Sequence, residues 1–150
     1  MKGKMIMRFA TIVRTDEYSK SISRYVIQKC SEFGWDYDTK NPELIISIGG
    51  DGTLLRGIHT YLSILDHISF VGIHTGTLGF FTDYTQEEID LFLDDIFHKV
   101  PSYEEMPLLE MKTSRNFDSI YALNEIRIES VSKTLSLDVY IDGEFFEHCT

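Results

Sequence analysis

Apolar positions change their period once along this chain, near residue 101. Before that point, short runs of branched apolar residues alternate with stretches whose apolar positions recur every three to four residues. Met5 to Val13 predicts a first strand. Glu17 to Phe33 follows with Tyr18, Ile22, Val26, Cys30 and Phe33 on one side, an amphipathic helix stopped at Phe33-Gly34. Leu44 to Ile48 predicts a second strand, a helix then runs to about Leu65, and Ser69 to Ile73 predicts a third strand. Thr85-Gln86-Glu87-Glu88 is a capping box opening a helix with Ile89, Phe92, Leu93 and Ile96 on one side. Strand and helix in alternation predict a parallel sheet covered by helices.

Beyond Val100-Pro101 the period becomes two. Leu108–Thr113, Ser119–Glu129 and Leu135–Ile141 read as strands, and Asp142-Gly143 is a type I′ hairpin signal before Glu144-Phe145-Phe146. The fold class expected is α/β: a Rossmann-like parallel-sheet domain over residues 1–100, then the start of an all-β, sandwich-like domain over 101–150. Three or four strands stand only if they pack on something. Either they lean on the α/β part, or the chain is a fragment of a longer protein; the fragment is the expectation.

The chemistry concentrates where the second strand ends, at Gly49-Gly50-Asp51-Gly52. Apolar residues at 54, 55, 58 and 62 make the next segment helical, so the motif occupies a strand-to-helix turn. Open α/β sheets bind ligands at such carboxyl ends. The glycines admit a bulky anion, and the helix amino-terminus adds N–H donors and a positive dipole. A carboxylate there repels phosphate, so the presence of Asp51 calls for a reason. It either deprotonates or orients a hydroxyl beside the phosphate, or merely caps the helix. Neither Gly-x-x-x-x-Gly-Lys-Ser/Thr nor Gly-x-Gly-x-x-Gly after a strand is present.

Charge narrows the ligand class. Of 150 residues, 24 are acidic and 14 are Lys or Arg, a net charge of −10. Nucleic acid and anionic membrane are therefore not expected partners, since both require clustered cations. Nucleotides, held by local N–H groups and a metal, stay open. Cys30 and Cys149 are the only cysteines and lie far apart in no metal-ligand spacing, which fits a reducing, cytoplasmic setting. Arg8 interrupts the first apolar stretch too early for a signal peptide, and no run approaches the ~18 apolar residues of a membrane span.

Two further polar features stand out. Within Ser119–Glu129, Asn124 shares the even positions with Ile120, Ala122, Ile126 and Ile128, so it falls on the apolar face. It either bonds to backbone in a core or meets a polar ligand, because an unpaired amide there would cost ~1–3 kcal/mol. Glu125 falls on the opposite face. The second feature, Thr75-Gly76-Thr77-Leu78-Gly79-Phe80-Phe81, again places glycines after a parallel strand, beside the first motif if the two strands are neighbours. Phe80 either packs on a flat base or fills a core. The five histidines form no metal-ligand spacing, and Trp35 and Tyr37 read as a packing satellite.

Together these residues resemble one family. Ile46-Ser47-Ile48-Gly49-Gly50-Asp51-Gly52-Thr53 is similar to the Gly-Gly-Asp-Gly motif of NAD kinases, diacylglycerol and sphingosine kinases and, more loosely, 6-phosphofructokinases. Gly72-Ile73-His74-Thr75-Gly76-Thr77-Leu78-Gly79-Phe80 and the Asn124-Glu125 pair narrow the resemblance to NAD kinases. The resemblance implies phosphoryl transfer from ATP, with Mg²⁺ or another divalent cation, to the 2′-hydroxyl of the adenosine ribose of NAD. Asp51 would face that hydroxyl as base or orienter, and Gly50 and Gly52 would let backbone N–H groups approach phosphate. Phe80 would line the adenine-side pocket, Asn124 and Glu125 would hydrogen-bond NAD, and Leu55 counts with them as a substrate-binding position. It also implies a homo-oligomer, dimer or tetramer. Many members carry Asn where this chain has His74 or Thr75. The family continues with a second Gly-Asp-Gly segment and a Ser/Thr-Pro-x-Gly-Ser/Thr-x-Ala-Tyr segment, both absent here, so the 150-residue chain resembles an amino-terminal portion and is expected to be inactive alone. The alternatives are a diacylglycerol-type lipid kinase and a non-catalytic nucleotide-binding module. A chain of charge −10 shows no basic docking surface for the first.

Overall fold

Strand β1 (Arg8–Val13) is hydrogen-bonded on both sides, and this places the whole first unit. A computed structural model describes residues 6–76, 79–131 and 133–150. The chain divides into two compact units, Met1–Glu104 and Glu105–Thr150.

In the first unit, five parallel strands run in the order β2 (Asp36–Tyr37), β1, β3 (Leu44–Gly49), β4 (Ser69–His74) and β5 (Tyr84–Thr85). The predicted strands appear as β1, β3 and β4. The two edge strands, β2 and β5, were not predicted; two residues carry no readable period. Helix α1 (Glu17–Phe33) has the predicted bounds. Asp16 caps it by accepting the Ser19 N–H at 2.9 Å. Gly34, at φ 94, closes it, a left-handed conformation that favours glycine. Ile22, Val26 and Cys30 of α1 are buried with Phe9, Ile46, Ile48 and Ile73, and Phe92 and Leu93 of α3 (Ile89–His98) join the same cluster. Burial pushes the free Cys30 thiol up to about 12. The opposite sheet face is covered by Tyr61, Ile64 and Ile68 over Ala10 and Ile45.

Two helical expectations change in detail. The helix after the glycine turn, α2, is Asp51–Thr60, and a 3₁₀ turn over Leu62–His67 replaces its predicted extension. Tyr61 separates them: its ring is buried in the second cluster and its hydroxyl donates to Thr39 O at 3.1 Å. The capping box at Thr85 and Glu88 is present, but a 3₁₀ turn, Gln86–Glu88, precedes α3.

The second unit holds two antiparallel pairs, β6 (Leu109–Thr113) with β7 (Asn116–Ala122), and β8 (Leu137–Ile141) with β9 (Glu144–Cys149). Asp142 and Gly143 take φ 52 and 85, the two positive values a type I′ turn requires. The strand predicted over Ser119–Glu129 ends at Ala122. Leu109 faces Ala122, so continuing the register would set Asn124 opposite Pro107, which has no N–H to donate. Asn124 therefore lies past the strand and is exposed, on no apolar face.

Candidate functional site

The strand order reverses direction at β1. The chain steps from β1 outward to β2, then returns to the other side of β1 as β3. Ligands of open α/β sheets bind beyond the carboxyl ends at such a switch point. The residues just beyond those ends are Arg14 after β1 and Gly49-Gly50-Asp51-Gly52 at the end of β3. The adjacent strand β4 delivers His74, whose Cα pairs with Gly49, and the loop beyond it.

Gly50 is the N-cap residue of α2 and supplies no side-chain cap, and Asp51 is the first helical residue. The Asp51 carboxylate does not cap its own helix. Oδ2 accepts the Phe80 N–H at 2.9 Å and Oδ1 accepts the Phe81 N–H at 3.0 Å. The helix-cap alternative is thereby replaced by a bridge between the two glycine loops. Gly79 is required beneath it, because a Cβ there would stand 2.7 Å from Asp51 Oδ1 and 2.9 Å from Thr82 Oγ1. A carboxylate accepts up to about four hydrogen bonds, so two N–H donors leave capacity for a hydroxyl. Thr75 ties the same edge together: its N–H donates to Gly49 O at 3.1 Å, and its hydroxyl bonds Ser19 Oγ, buried, at 2.7 Å.

Open space lies where an anion would enter. A Cβ on Gly50 or Gly52 would meet nothing within 4 Å. Leu55, one turn into α2, is half-buried. Phe80 is 90 % exposed, which excludes the core role. His74 is only 8 % exposed, and both its ring nitrogens are buried with no partner among the described residues. Thr77 and Leu78 of the second glycine motif lie outside the described residues. Asn124 and Glu125 belong to the second unit, both exposed.

Sequence reasoning found no cation for this turn. The structure supplies two. Arg14 donates its backbone N–H to Ile48 O at 2.8 Å, and its Nε pairs with Asp16 Oδ2 at 2.6 Å. Hydrogen bonding from Arg14, then from the Ser19 N–H, holds the Asp16 carboxyl well below the usual carboxylate range. Arg56 of α2 donates from Nη2 to Val13 O at 2.5 Å. The signal available in the sequence was positional: Arg14 directly follows a predicted parallel strand.

No group of three or more His, Cys, Asp or Glu side chains suited to a metal ion occurs among the described residues. Among the described residues, no helix is long and apolar enough to cross a membrane.

Fold and site together define an α/β protein with a glycine-rich strand-to-helix turn at its switch point. Residues 3–100 match the model of the ATP-NAD kinase N-terminal domain. The chain is 47% identical over 115 residues to the NAD kinase of Lactobacillus gasseri, covering 75% of this chain and 43% of that protein. It is 40% identical over 144 residues to the NAD kinase of Lysinibacillus sphaericus, covering 94% and 54%. With NAD kinase 1 of Oceanobacillus iheyensis it shares 40% identity over 146 residues, 94% and 55% of the two chains. The chain belongs to the NAD kinase family. It spans about half the length of the curated relatives it matches.

Proposed function

We propose that this protein takes part in transferring the γ-phosphoryl group of ATP to the 2′-hydroxyl of the adenosine ribose of NAD, giving NADP. The observation that carries the reading is the Asp51 carboxylate, fixed by the Phe80 and Phe81 N–H groups beside an open glycine turn. Phosphoryl transfer passes through a loose transition state, so positioning and charge stabilisation dominate. A divalent cation such as Mg²⁺, bound to ATP, would supply neutralisation of the phosphate charge. The Thr53 N–H already donates to Gly50 O at 2.8 Å, so the donors that Gly50 and Gly52 leave accessible to an anion are the first two of α2, on Asp51 and Gly52.

A ribose hydroxyl is a far weaker acid than Asp, whose unperturbed pKa is ~3.9. Asp51 therefore accepts the proton only late, as the new P–O bond forms, and before that orients the hydroxyl. The Phe80 ring, free of packing, and half-buried Leu55 supply apolar surface for the adenine side. Asn124 and Glu125, exposed and outside regular structure, are assigned to hydrogen bonds with NAD. A cytoplasmic homo-oligomer, with no nucleic-acid or membrane partner, completes the proposal.

The test is incubation of the protein, as encoded by its full reading frame, with ATP, Mg²⁺ and either NAD or diacylglycerol. NADP formation, read by an NADP-specific dehydrogenase, is expected. Lipid phosphorylation, or ATP binding without turnover of NAD, overturns the reading.

A further inference from the structure

An acidic chain that places a carboxylate at its anion turn needs cations to hold a polyphosphate there, and the first unit brings two to one spot. Arg14 stands immediately beyond β1, beside the turn: its Cβ lies 3.1 Å from where a Cβ on Gly49 would be. Its Nη1 lies 2.9 Å from where a Cβ on Gly76 would be, so the guanidinium reaches from one glycine loop to the other. Nε is anchored by Asp16 Oδ2, while Asp16 Oδ1 accepts the Ser19 N–H at the start of α1. That anchor fixes the plane of the guanidinium and leaves the Nη groups, the pair that forks onto phosphate oxygens. The arginine side chain is 45% exposed, so a ligand reaches it.

Asp16 cancels much of the charge of Arg14. Arg56 restores it: its Nη2 donates to the neutral Val13 carbonyl, at the end of the same strand β1. On β4, in register with Gly49, the buried His74 carries two ring nitrogens without a partner among the described residues. A polar side chain left unsatisfied in that position costs free energy until something bonds it.

We propose that Arg14, with Arg56 behind it, is the positioning clamp for the triphosphate of the donor, between the turn at Gly49 and the loop at Gly76. The donor class rests on the phosphoryl-transfer reading, but the clamp itself is defined by its affinity for polyphosphate. The experiment therefore measures binding of inorganic tripolyphosphate by calorimetry, without NAD, beside the KM values for ATP and NAD. Arg14→Gln is expected to weaken tripolyphosphate and raise the KM for ATP at least about tenfold, with the KM for NAD within about twofold. Arg56→Gln is expected to act in the same direction more weakly. Asp16→Asn, which removes the counter-charge and the Nε anchor together but retains a helix cap, is expected to change tripolyphosphate binding by no more than about threefold. If Arg14→Gln fails to fold, Arg14→Lys keeps the charge without the fork and is expected to lose several-fold in the same two readouts. Unchanged tripolyphosphate binding in the arginine variants overturns the clamp, as does an equal loss in Asp16→Asn, which would make the pair a scaffold. A protein that forms NADP yet gives either of those results sinks the clamp alone. Loss of tripolyphosphate binding in Arg14→Gln, with no NADP formed by the wild type, keeps the clamp and sinks the kinase reading.

Discussion

Asp51 and Phe81, thirty residues apart, are joined by a hydrogen bond of 3.0 Å from the Phe81 N–H to Asp51 Oδ1. With the Phe80 N–H on Oδ2, the acid of the first glycine turn becomes the anchor of the second loop. One side chain thus sets the course of the loop that carries Phe80, and under the proposed function it would also orient the reacting hydroxyl.

Replacing Asp51 by Asn keeps one acceptor and turns the other oxygen into a donor facing an N–H. Turnover is expected to fall at least ~100-fold, the scale of a lost general base or orienter. A lower melting temperature should accompany it, since an unsatisfied donor costs about 1–3 kcal/mol. NAD affinity should change little. Steady-state kinetics alongside calorimetry with NAD checks this, and activity within a few-fold of wild type removes Asp51 from the chemistry.

Gly79 and Gly52 should separate packing from ligand approach. Gly79→Ala drives a methyl against the Asp51 carboxylate and Thr82, so both turnover and melting temperature should drop. Gly52→Ala meets no atom within 4 Å, and Ala is favoured over Gly in a helix by ~0.8–1 kcal/mol. Its melting temperature should hold or rise while ATP affinity falls. Thermal melts and ATP titrations of the two variants decide the matter; equal behaviour would argue against ligand approach at Gly52.

Asn124 is exposed, so Asn124→Ala should leave thermal stability within about 0.5 kcal/mol, as for ordinary surface changes. If it bonds NAD, the same variant should weaken NAD binding by ~1–3 kcal/mol with ATP affinity unmoved. Unchanged NAD affinity would leave Asn124 without a role.

Asp16 gives a pH dependence. Its carboxyl titrates lower in the folded protein than in the unfolded chain, through hydrogen bonds from Arg14 and the Ser19 N–H. Its contribution to stability is therefore complete above the unfolded value of ~3.9 and fades as pH falls through it toward the folded one. Asp16→Ala should melt well below wild type at pH 7, and the gap should narrow below about pH 4. A gap that is constant across that range would show the carboxylate charge to be irrelevant.

Much of the first unit was legible because its signals are local. Helix α1 has an apolar stripe at helical spacing between Asp16 and Gly34, and the glycine turn follows a run of branched residues, so both lie where the pattern put them. The strand through Asn124 failed for a non-local reason: its partner position is Pro107, which only the pairing reveals. Arg14 and Arg56 escaped notice because their importance depends on β1 and β3 being neighbours, a fact of strand order. The role of Asp51 was half legible. Its place at the carboxyl end could be read, but its two donors lie about thirty residues downstream.

The order of strands also governs when the site can come into being during synthesis. β1 is made first, yet its inner neighbour β3 begins only at Leu44, and the donors for Asp51 arrive with Phe80 and Phe81. Parallel pairing must close long loops before any ladder bond rewards it. A nascent chain that has emerged only through β3 has its glycine turn but nothing to seat the carboxylate. The seat of the Asp51 carboxylate therefore depends on a segment made after β4, and a chain that ends before Phe80 lacks both of its donors.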